Sequence, residues 1–166
     1  MFRQEKPAAA PKPTKTVISD ATKAARKQKK NVFIHFGASW CGWCRLLEKV
    51  IAQPEVKALL EENYVMVELV ALENGPKKVL ENAGSNEFMT AMGGAKSGLP
   101  FLVFLDDKGK KLADSNVMPK DQNIGCPAAP EEIAAFGELL KKTAPRLSDA
   151  KRQTILDAFT KAAPKR

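Results

Sequence analysis

The run Val32-Phe33-Ile34-His35-Phe36 constrains this chain most. It is β-branched and aromatic, of strand length, and it hands over to a helical pattern at Cys41 through the short loop Gly37-Ala38-Ser39-Trp40. A buried strand needs partners, and the chain supplies two more such runs, Tyr64 to Leu72 and Phe101 to Leu105. Between the first two lie two helical patterns. Cys41 to Ala52 carries Leu46, Leu47, Val50 and Ile51 on one side, and Glu55 to Glu62, after Pro54, carries Val56, Leu59 and Leu60. After the third run, Asp106-Asp107-Lys108-Gly109 has a hairpin signature and Lys111 to Ser115 is the returning strand. The order predicts a βαβ crossover followed by an antiparallel ββα unit. That is an α/β fold with a central mixed sheet and helices on both faces.

The remaining segments complete the expectation. Ser19 or Asp20 caps a basic helix over residues 21–30. Pro76 to Asn82 and Asn86 to Met92 are helical, and residues 116–129 form a long polar loop. Pro130 opens a helix with Ile133, Phe136 and Leu140 on one face. A last helix, Ser148 to Ala162, carries Ile155, Leu156 and Phe159. The expected organisation is a Pro/Ala/Lys-rich tail over residues 1–18, one domain over 19–145, and a helical extension over 146–166.

Composition removes several classes. With 44% hydrophobic residues the chain can fill a core, so wholesale disorder is excluded. No apolar run approaches the ~18–20 residues of a membrane helix, so an integral membrane protein is not expected. Three cysteines do not make a disulfide scaffold. The net charge of +8 is unevenly spread: +7 over residues 1–30, −4 over 31–136 and +5 over 137–166. The part that holds the core is mildly acidic, which argues against a nucleic-acid groove. The tail lacks the apolar region of a signal peptide. Two readings stand: an export signal removed ahead of it, with a periplasmic or secreted protein, or a cytoplasmic protein.

The segment Trp40-Cys41-Gly42-Trp43-Cys44 carries the chemistry. A C-x-x-C where a strand meets a helix, inside a βαβ pattern, reads as a redox motif. Cys41 falls at the helix N-terminus, where free N–H groups and the positive dipole end favour a thiolate. Cys44 returns to the same face and can reach the Cys41 sulfur. Cys41 is thus the nucleophile and Cys44 the resolving thiol of a thiol:disulfide oxidoreductase.

With Phe36 to Arg45 after a hydrophobic strand, and Gly98-Leu99-Pro100 before another, the sequence resembles the thioredoxin family over roughly residues 20–142. The resemblance implies a cis Pro100 facing the cysteines, with the Leu99 backbone pairing with a bound substrate chain. Trp43 replaces the usual proline, Gln53-Pro54-Glu55-Val56 interrupts the helix, and residues 73–97 are enlarged. These departures are similar to bacterial thioredoxin-like proteins of the periplasmic disulfide-interchange type. The implied partners are protein disulfides and an upstream thiol reductant, with a monomer and no cofactor.

Other residues leave alternatives open. His35 stands where thioredoxins hold a buried acid, with Glu68 in the place of its lysine partner. Either His35 accepts a proton from Cys44 with Glu68 orienting the ring, or it points to the opposite face. Trp40, Gly42 and Trp43 form a substrate platform, with Trp40 partly in the core and Trp43 exposed. Cys126 is either a third redox thiol or an unpaired loop cysteine. A zinc site from Cys41, Cys44, His35 and Cys126 is poorly supported, so no metal is expected. Gly93 to Gly98 lacks the phosphate-loop spacing. The alternative function is a thioredoxin-fold binding module or chaperone, its cysteines structural or metal-binding.

Overall fold

A computed structural model describes residues 9–165. Four strands form one sheet in the order β2-β1-β3-β4, with β1 at Asn31–Gly37, β2 at Tyr64–Val70, β3 at Phe101–Leu105 and β4 at Lys111–Asp114. β1 runs parallel to β2, placing His35 opposite Glu68. It runs antiparallel to β3, placing Phe36 opposite Phe101, and β4 pairs antiparallel on the outer edge of β3. Helices α2 (Gly42–Ile51) and α3 (Pro54–Asn63) make the crossover from β1 to β2. The expected mixed sheet is therefore present.

β1 is central and covered on both faces, which is why its sequence is apolar without alternation. Phe33 points into a core shared with α2, α3, α5 (Pro130–Thr143) and α6 (Asp149–Ala162). Val32, Ile34 and Phe36 point the other way, into a core shared with α1 (Thr14–Gln28) and α4 (Ser85–Ala91). The first core is aromatic at its centre: Phe33 meets Phe104 at 4.6 Å and Tyr64 at 5.5 Å between ring centroids. The extension at the C-terminus joins it. Ser148 caps α6 by accepting from the Lys151 N–H at 3.2 Å, and Phe159 meets Phe136 at 5.1 Å.

Three local expectations need correction. α1 begins at Thr14 after Pro13, and Ser19 and Asp20 are exposed inside it rather than capping it. Its start is held by tertiary contacts instead: the Thr14 N–H donates to the Ala83 carbonyl at 2.9 Å, and Asn82 Nδ2 donates to the Lys12 carbonyl at 2.8 Å. Residues 75–80 form a 3₁₀ helix with no buried residue, so no apolar face drives an α-helix there. The loop after β4 is not wholly polar in its packing, because Ile124 and Cys126 enter the first core. Gly94 is required by close approach: an added Cβ would stand 2.6 Å from the Phe101 ring.

Candidate active site

The topology gathers the site at one end of the sheet. β1 and β2 are parallel, so the loop to Cys41 and the turn at Leu72-Glu73 leave from the same edge. β3 runs the other way and enters at that edge through Leu99-Pro100. The Leu99–Pro100 peptide bond is cis, Pro100 is buried and Leu99 is half-buried.

Cys41 and Cys44 are joined as a disulfide, with their Cα atoms 5.2 Å apart. Cys41 is the N-cap residue of α2, and its Sγ accepts the Cys44 backbone N–H at 3.1 Å. That N–H is one of the donors a helix N-terminus leaves unpaired. The sulfur therefore occupies the place where a capping oxygen normally accepts, at the positive end of the helix. Accessibility does not distinguish the two sulfurs, since Cys41 is 4% and Cys44 2% exposed. Position on the helix does. Gly42 and Trp43 are exposed around the pair.

Trp40 differs from its expected half-core position: it is 52% exposed, and its indole Nε1 donates to the Leu72 carbonyl at 2.8 Å. The hydrogen bond turns the ring across the surface, away from the sheet. Trp43 is exposed as expected. It borders a groove of about 540 Å³ formed with Ala128, Ala129, Pro130, Ala163 and Pro164.

Strand alternation puts His35 on the same face of β1 as Phe33 and Gly37, the face that α2 covers. It is buried, and burial lowers its pKa from the ordinary value while the facing Glu68 charge acts in the opposite sense. Burial therefore favours the neutral imidazole. Glu48, which the sequence reading passed over, belongs to the same group. It lies one helical turn past Cys44 on α2, and that i, i+4 spacing was the available signal. Its pKa is raised, first by burial and then by the charge of Glu68 and a hydrogen bond shared with it, against a smaller opposing effect of Arg45. A Cβ on Gly37 would stand 3.5 Å from Cys44 Sγ and 3.9 Å from Glu48 Oε1. Glu48, Glu68 and Glu73 line a cavity of about 320 Å³ together with Gly37, Ser39 and Arg45. The sheet thus sets His35 opposite Glu68, and α2 brings Glu48 to Glu68.

Cys126 is a free thiol. It is buried, and burial, with a smaller contribution from the Glu132 charge, pushes its thiol up to about 12. Among the described residues, no group of three or more His, Cys, Asp or Glu side chains is placed to hold a metal ion.

Comparison with known proteins agrees with this geometry. A family model described as thioredoxin-like matches residues 14–107. The protein disulfide-isomerase of Hordeum vulgare is 30% identical over 115 residues, covering 68% of this chain and 20% of that protein. The chain spans about a fifth of the length of the curated relatives it matches. Among solved structures, the disulphide isomerase from Xylella fastidiosa Temecula1 is similar with a TM-score of 0.53 at 23% identity, covering 97% of this chain and 96% of that one. A DsbH oxidoreductase is similar with a TM-score of 0.50 at 23% identity, covering 87% and 93%. Those two likenesses concern the fold. The family model spans more than half of the residues, the whole sheet up to the end of β3 and the cysteine pair included, and the chain belongs to the thioredoxin-like family.

Proposed function

We propose that the protein is a thiol:disulfide oxidoreductase that exchanges disulfides with protein substrates, acting as a reductase or isomerase. The observation that carries this is Cys41 Sγ at the N-cap of α2, bonded to Cys44 and accepting its N–H. The reduced Cys41 thiolate attacks one sulfur of a substrate disulfide. The S–S bond breaks, a mixed disulfide forms, and the other substrate sulfur leaves as a thiolate that takes up a proton. Cys44 loses its proton and attacks Cys41 Sγ, expelling the second substrate thiolate. The substrate gains two electrons, and the Cys41–Cys44 pair is oxidised until an upstream thiol reductant restores it.

Glu48, paired with Glu68 and facing the Gly37 side of Cys44, is the acceptor best placed for the Cys44 proton, through the cavity behind the disulfide. His35, buried and opposite Glu68 on the neighbouring strand, is the neutral neighbour of this group. Trp40, Gly42, Trp43, Leu99 and Pro100 form the substrate side. An exported compartment such as the periplasm fits this reading, because protein disulfides persist there. The names of the neighbours, a disulphide isomerase and a DsbH oxidoreductase, accord with disulfide exchange.

Insulin reduction with a chemical thiol as donor tests the activity. The wild type turns over, and Cys41→Ser abolishes it. No turnover by the wild type contradicts the reading.

A further inference from the structure

Glu73 is a buried carboxylate, 2% exposed, in the enlarged stretch after β2, outside the redox pair itself. Both of its oxygens are taken by a single residue: Ser39 donates its backbone N–H to Oε2 at 2.8 Å and its hydroxyl to Oε1 at 2.7 Å. The third polar group of Ser39, its carbonyl, accepts from Arg45 Nη1 at 2.8 Å. Every polar group of the residue two places before Cys41 is therefore held. Two donors on one residue match a group that only accepts, which is what an ionised carboxylate offers. The backbone on the Glu73 side is built for this contact. Leu72 has φ of 57°, left-handed and uncommon for a residue with a bulky side chain. This turn presents the Leu72 carbonyl to the Trp40 indole and the Glu73 side chain to Ser39. The Glu73 N–H is tied back to Glu81 Oε2 at 2.9 Å, so the clamp is itself anchored.

We propose that Glu73 is a positioning residue of the redox pair, its carboxylate holding Ser39 and so fixing Trp40 and Cys41 at the start of α2. The assignment rests on the reading of Cys41–Cys44 as an exchanging pair. A displaced Cys41 loses both its N-cap hydrogen bond and its line of attack, and small misplacements of reacting atoms are costly.

The test compares Glu73→Ala, Glu73→Gln and Ser39→Ala in the full chain by two measurements. One is kcat/KM for insulin reduction. The other is the pH titration of the Cys41 thiolate by its ultraviolet absorbance in the reduced protein, which needs no turnover. Glu73→Ala is expected to lower kcat/KM by about ten- to a hundredfold and to move the Cys41 midpoint. Glu73→Gln, which can still accept from the Ser39 N–H and donate to its hydroxyl, is expected to restore most of both. Ser39→Ala changes an exposed residue and is expected to shift the midpoint in the same direction as Glu73→Ala, by less. The proposal is overturned if the Cys41 midpoint stays at the wild-type value in Glu73→Ala, or in Ser39→Ala where Glu73→Ala does not fold. It is also overturned if Glu73→Gln loses as much as Glu73→Ala. A wild type without turnover but with a midpoint that moves in the variants would remove the proposed activity and leave the positioning role standing.

Discussion

Cys41 and Cys126 are each 4% exposed, so their different chemistry comes from what surrounds them. Cys41 caps a helix and receives an N–H, whereas Cys126 lies among apolar side chains beside the Glu132 charge, with its thiol pushed up to about 12. A helix N-cap favours a thiolate and apolar burial opposes one, so the reduced Cys41 is expected to be the more reactive of the two. Alkylation of the reduced protein at pH 7.5 should therefore label Cys41 rapidly and Cys126 only after unfolding. Cys126→Ala should retain insulin reduction within about twofold, since the disulfide joins Cys41 and Cys44 without it. Glu48 gives a second prediction at this scale. Its pKa is raised, so it stays protonated at pH values where an ordinary glutamate, near about 4.3, has ionised. A protonated Glu48 cannot accept from Cys44, so the wild-type rate should climb as pH rises through the Glu48 pKa. Glu48→Gln should lack that rise and run about tenfold slower above it, measured as the pH profile of kcat/KM.

At the scale of elements, α6 is part of the core. Ile155 and Phe159 are buried against the same aromatic cluster as Phe33 and Phe136. Phe159→Ala should cost about 3–5 kcal/mol in denaturant unfolding, the range for a buried phenylalanine that leaves a cavity. β1, β3, α5 and α6 were legible in the sequence because each repeats its own period or fills a strand-length apolar run. α1 was not placed at its true start, because the residue before it is Pro13 and no side chain caps it. Its first turn depends on Asn82 and Ala83, far along the chain. The redox pair could be read locally, since cap, spacing and helix start are all adjacent. Glu73 could not, because only the turn at Leu72 brings it to Ser39.

For the whole molecule, the sheet order explains why so many functional groups meet at one end. A parallel β1–β2 pair and an antiparallel β3 deliver the cysteine loop, the Glu73 turn and Leu99-Pro100 to the same edge. This edge's cavity is lined by three glutamates and Arg45. The account's central claim is that Cys41 attacks and Cys44 resolves. The most direct measurement is covalent trapping: Cys44→Ser is reduced, mixed with a disulfide-bonded protein such as insulin, and resolved by non-reducing mass spectrometry. The account predicts a mixed disulfide through Cys41 that a thiol reductant dissolves, and none with Cys41→Ser. An adduct through Cys126, or no adduct with Cys44→Ser while Cys41→Ser forms one through Cys44, would contradict it.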